Sequence, residues 1–107
     1  MGVTPPPLTS EQRSQAAQTA LAARRRRAEI KAGFHDGTLS LSNVLDLTGV
    51  DPAVDRLRVV ELLEAFPRVG PVRASAIMSD LGIAPSRRLR GLGQHQKQAL
   101  LDYFEGM

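Results

Sequence analysis

Two prolines four positions apart, Pro67 and Pro71, bracket Arg68-Val69-Gly70 and leave the chain few ways to fold around them. Upstream, Val59, Leu62, Leu63 and Phe66 form an i, i+3, i+4, i+7 stripe, the mark of a helix with one buried face. Pro67 cannot continue that helix, because its ring clashes with the preceding turn and it has no N–H. Gly70 is expected to supply the unrestricted backbone of a tight reversal. Pro71 suits the first position of a second helix, where a missing N–H costs nothing. Val72, Ala76 and Ile77 are expected to form the buried face of that helix, and Gly82 its C-terminal stop. The pattern predicts helix, hairpin, helix, with the free amides of the second helix turned toward an anion such as phosphate.

Helix signals also dominate elsewhere. Pro5-Pro6-Pro7 makes residues 1–8 an extended, flexible lead-in. Thr9 and Gln12 have capping-box spacing, and strong helix formers run from Glu11 to Ala32, predicting a long helix over 9–33. Leu39, Leu41, Val44, Leu45 and Leu47 form a short apolar element ended by Gly49, and Asp51-Pro52 signals another helical turn. A last helix, roughly Gln94 to Glu105, is expected to bury Ala99, Leu100, Tyr103 and Phe104. No stretch shows the sustained alternation of a strand. The expected fold is all-α, the long first helix joining a small bundle over 38–106 in one compact domain.

Charge is segregated along the 107 residues, whose net charge is only +3. Residues 1–35 carry six basic and two acidic side chains, 36–64 two basic and six acidic, and 65–101 six basic with Asp80 alone opposed. Basic blocks flanking an acidic middle are the electrostatic footprint of a nucleic-acid partner. Arg24, Arg25, Arg26 and Arg27 advance about 100° each and spread around the first helix, with Glu29 the only acid close in sequence. Arg87, Arg88 and Arg90 share a turn with Gly91 and Gly93, whose small size permits close backbone approach, while Leu89 and Leu92 anchor that turn in the core.

Other chemistry finds no residues. The absence of cysteine excludes disulfides and thiolate zinc sites. His35 and His95 stand alone, so no metal or cofactor is expected. Gly91-Leu92-Gly93 lacks the strand that a dinucleotide fingerprint needs. No nucleophile–base set is present, and no enzyme is expected. Neither a membrane span nor a secretory signal is expected either, which points to a cytoplasmic protein.

Taken in order, Leu62-Leu63-Glu64-Ala65-Phe66-Pro67-Arg68-Val69-Gly70, Val72-Arg73-Ala74, Ile77-Met78 and Arg87-Arg88-Leu89-Arg90-Gly91-Leu92-Gly93 resemble the actinobacterial integration host factor family. Leu8-Thr9, Glu11-Gln12-Arg13, Ala23-Arg24-Arg25 and Ala28-Glu29 are similar to its opening helix. The resemblance implies a helix-two-turns-helix core like that of ribosomal protein S13. It further implies sequence-tolerant binding of double-stranded DNA in the nucleoid, DNA compaction, and support for phage integrase complexes. Gly70, Arg73, Arg87, Arg88 and Arg90 match the family motif. Arg68, Val69, Gly91, Gly93 and Arg24–Arg27 complete the candidate contact set, expected to clamp backbone across a minor groove and to bend or bridge DNA. Pro71 departs from the family, which usually has lysine there; the change removes a cation and an amide donor. An S13-like RNA-binding role is the alternative, although an aromatic content of 4% offers little for stacking single-stranded bases.

Overall fold

Helix initiation follows local side-chain chemistry. In the computed structural model, which describes residues 9–105, Thr9 Oγ1 accepts from the Gln12 amide at 3.1 Å and the Thr9 amide donates to Gln12 Oε1 at 2.9 Å. This reciprocal capping box opens α1, Ser10–Asp36. Ser40 and Asn43 repeat the device at the start of α2, Leu41–Asp46. Asp51 caps the single turn α3, Pro52–Asp55, by accepting from the Ala53 amide at 3.0 Å. The lead-in over 1–8 and Gly106 lie outside the described residues.

α1 runs past the expected end at 33. Gly33 lies inside it, where an added Cβ would come within 2.7 Å of the Leu39 side chain, so this glycine lets the returning chain pack close. The stop is Gly37, in the left-handed region at φ 84°. The 27 residues of α1 extend about 40 Å, and all of residues 10–22 are exposed. The radius of gyration, 16.8 Å, exceeds the roughly 13 Å of a compact domain this size because that half of α1 projects.

The base of α1 is fastened by aromatic packing. Phe34 lies 5.3 Å from Phe66 and 6.0 Å from Phe104, and Phe66 lies 4.9 Å from Phe104, as ring-centroid distances. Such pairs add about 0.5–1.5 kcal/mol each beyond their buried area. His35 Nδ1 donates to the Ala65 carbonyl at 3.0 Å, a further tie between α1 and the end of α4, Val59–Ala65.

α4 and α5, Pro71–Asp80, form the hairpin. α5 buries Ala74, Ile77 and Met78. Val72, 85% exposed, and Ala76 were expected inside but face solvent. Each lies two residues, about 200° around the helix, from Ala74, which occupies the contact face. α5 ends in a Schellman motif: Gly82, at φ 69°, donates to Ser79 and Ile83 donates to Met78. A 3-10 turn at Leu89–Gly91 leads to α6, Gln94–Glu105. α6 fully buries only Leu100; Ala99, Tyr103 and Phe104 are half-buried because the helix lies at the edge of the bundle. The core joins Ile30, Val44, Val54, Leu57, Leu62, Leu63, Ile77, Leu89 and Leu100. Among the described residues every regular element is helical, and a lone antiparallel bridge pairs Arg58 with Arg88.

Candidate nucleic-acid interface

The hairpin turn is tighter than its glycine suggests. Phe66, Pro67, Arg68 and Val69 close it with a 3.1 Å bond from the Val69 amide to the Phe66 carbonyl. Proline at the second position and a positive φ at the third follow the pattern of a type II turn. The residue with positive φ is Arg68, at 70°, not Gly70, whose φ of −89° any residue adopts. Arg68 therefore occupies a position that favours glycine, at a cost of about 1–2 kcal/mol. Val69, 4% exposed, plugs into the core and holds the turn there. Gly70 caps α5 without a side-chain bond, and nothing stands within 4 Å of where its Cβ would be. The Val72 and Arg73 amides are thus left uncapped at an open helix start. Arg68, Gly70 and Arg73 are all exposed beside it.

The second turn is braced. Its backbone is stitched to the stretch before α4 by Val59 N–H to Arg87 O at 3.0 Å and Leu89 N–H to Leu57 O at 2.9 Å. Arg87 Nη1 donates to Gly91 O at 3.0 Å, and a Cβ on Gly91 would meet Arg87 Cδ at 3.0 Å. Gly91 thus makes room for Arg87 of its own turn. Arg88 Nη1 donates to the Arg56 carbonyl. Arg90 Nη1 lies 3.7 Å from Asp55, whose other oxygen accepts from the Gly49 amide at 2.7 Å. The Gly93 amide donates to Gln96 Oε1, which orients the start of α6.

The four arginines of α1 divide. Arg26 Nε donates to Asp51 Oδ2 at 2.7 Å and its Nη1 reaches Glu29 at 3.3 Å. The bond from Arg26 holds the Asp51 carboxyl below the ordinary carboxylate range. Arg26 is accordingly engaged within the fold, by Asp51 and Glu29. Asp51 is 25 residues away in sequence, so only the fold brings it there. Arg25 is exposed.

Arg24 and Arg27 line a cleft of about 700 Å³ with Ala20, Ala23, Arg56, Arg58, Glu61 and Arg88. Arg56 and Arg58 were not anticipated. They lie inside the acidic block, and only the Arg58–Arg88 bridge carries them to the basic surface. A smaller hollow joins Arg88 to Arg90, Gly91, Arg56, Asp55 and Pro52. Arg68 and Arg73 line neither hollow. Among the described residues, no carboxylate lies within ion-pair distance of Arg24, Arg27, Arg56, Arg58, Arg68, Arg73 or Arg88. No group of three or more potential metal ligands occurs among them, and no helix there is long and apolar enough to cross a membrane.

The S13-like H2TH domain model matches residues 34–104, which span both turns. A protein of Mycolicibacterium smegmatis named integration host factor is 49% identical over 100 residues, 94% of this chain and 95% of that protein. The Mycobacterium tuberculosis protein of the same name is 50% identical over 99 residues, 92% and 94% of the two chains. A solved structure described as sIHF bound to an 8bp palindromic DNA superimposes with a TM-score of 0.79 at 42% identity, covering 81% of this chain and 98% of that one.

Proposed function

This chain belongs to the integration host factor family of S13-like H2TH proteins, and from that premise we propose that it is a nucleoid-associated protein that binds double-stranded DNA. In this reading Arg68, Gly70 and Arg73, on the turn that Val69 anchors, present one contact, where the uncapped amides of α5 meet a phosphate. Arg87, Arg88, Arg90, Gly91 and Gly93 present a second. Arg24, Arg25 and Arg27 on α1 add a third, so that one chain bends or bridges duplex segments. The protein acts by binding and not as an enzyme, in the cytoplasm, and supports recombination complexes by shaping DNA.

The observation that carries the reading is the set of guanidinium groups left without carboxylate partners on two turns and one helix. Guanidinium contacts to phosphate position a protein on the duplex without reading sequence. No Asn or Gln stands in the hairpin to read base edges, so sequence preference comes from duplex deformability. Competition between duplex DNA, duplex RNA and single strands tests it. Duplex DNA is expected to win over both. Preference for RNA would assign the S13-like alternative instead, and a single sharply defined DNA site would contradict sequence-tolerant binding.

A further inference from the structure

We infer that the cleft between α1 and the Arg56–Arg58 stretch is a binding site for a small polyphosphate anion. Five arginines, Arg24, Arg27, Arg56, Arg58 and Arg88, line it with one acidic residue, Glu61, which makes no ion pair with any of them. The lining charge is therefore strongly positive. The remaining wall is Ala20 and Ala23, whose side chains offer no acceptor that would compete for the guanidinium donors. A ligand with several adjacent phosphates satisfies this surface, since planar guanidinium groups pair bidentately with phosphate oxygens.

The cleft has room for such a ligand. A hollow of about 700 Å³ lies within the range of small-molecule sites, roughly 300–1,000 Å³. The cleft is also preorganised. Arg24 and Arg27 stand one turn apart on α1, the Arg58–Arg88 bridge fixes the opposite wall, and Arg88 is tethered to the Arg56 carbonyl. Arg58 caps α4 through backbone geometry alone, so its side chain is free of capping duty. Like charges held together by backbone repel one another, and an anion between them relieves that repulsion. Binding should thus raise the melting temperature. Because Arg24, Arg27 and Arg88 also belong to the duplex surface proposed above, an occupied cleft lowers duplex affinity, a consequence that rests on that reading.

The test titrates the full chain with inorganic tripolyphosphate, ATP and sulfate by calorimetry, in metal-free buffer at matched physiological ionic strength. Tripolyphosphate is expected to saturate at one per chain and to bind at least about tenfold more tightly than sulfate. R56A and R58A, shown folded by circular dichroism, should each weaken it about tenfold, the loss of one charge-assisted contact. K97A, which removes a charge from α6 outside the cleft, should leave it unchanged. ATP binding more tightly than tripolyphosphate assigns the site to nucleotides; equal binding, or tripolyphosphate binding alone, assigns it to the polyphosphate chain itself. Equal weak heats for tripolyphosphate and sulfate, or an equal loss in K97A, would overturn the site. A short duplex titrated in parallel keeps the two readings apart, because duplex binding without tripolyphosphate binding removes the cleft proposal alone.

Discussion

The two arginine-bearing turns solve the same problem by opposite means. The Phe66–Gly70 turn is held by backbone: one hydrogen bond, two prolines and the Val69 plug, with Arg68 left in an unfavourable conformation and exposed. The Arg87–Gly93 turn is held by its own functional residue types. Arg87 and Arg88 each donate to a main-chain carbonyl, and Arg90 lies beside Asp55. Arginine is thus presented at one turn and both presented and structural at the other. α1 repeats the contrast within one run, where Arg26 is tied and Arg24, Arg25 and Arg27 are not.

Core truncation breaks the comparison most severely. Leu89→Ala removes a fully buried anchor of the braced turn and should cost about 2–5 kcal/mol in chemical denaturation. Val69→Ala, beneath the hairpin, deletes less volume and should cost clearly less. An equal cost would mean that the hairpin depends on its plug as heavily as the second turn depends on Leu89.

Salt dependence sharpens the division inside α1. Each phosphate contact contributes about 0.9 to the slope of log affinity against log salt. Arg24→Ala with Arg27→Ala should flatten the slope for duplex DNA by about two units. Arg26→Ala should leave the slope unchanged while lowering stability slightly. A slope that responds to Arg26 as to its neighbours would show that its pairing with Asp51 yields to DNA.

Arg68→Gly relieves the left-handed residue. Part of the 1–2 kcal/mol gain is offset by the greater freedom of glycine in the unfolded chain, about 0.4–1 kcal/mol. A net stabilisation of about 0.5–1 kcal/mol is expected, together with weaker DNA binding. Destabilisation would mean that the Arg68 side chain helps to hold the turn.

The smallest effect is the Arg26–Asp51 tie. Asp51→Asn keeps an N-cap residue but removes the ion pair. Arg26 depresses the folded-state pKa of Asp51, so the pair stabilises the protein above the ordinary carboxylate range and the contribution fades as pH falls through the depressed value. With the arginine side chain 41% exposed, solvent screening limits the pair to about 0–1 kcal/mol. The wild-type protein should exceed the variant by that margin at neutral pH. The gap should begin to narrow at about pH 4, where Asp51 of the unfolded chain protonates, and close once pH falls below the depressed folded-state value. A gap that is constant with pH would assign the difference to capping instead.

Much of the fold was legible in sequence, because its signals are local. Thr9 and Gln12 sit three residues apart, Pro71 cannot lie inside a helix, and Gly82 ends α5 by its own conformation. Capping, proline sterics and helical periodicity act over one or two turns, and so can be read from neighbouring residues. Tertiary structure decided what depends on distant partners. It placed positive φ on Arg68 rather than Gly70, because Val69 must reach the core. It turned Val72 and Ala76 outward because α4 meets the Ala74 face. It claimed Arg26 for Asp51 and carried Arg56 and Arg58 out of an acidic segment to the basic cleft. Charge along a chain records composition, whereas a surface potential depends on which segments the backbone brings side by side.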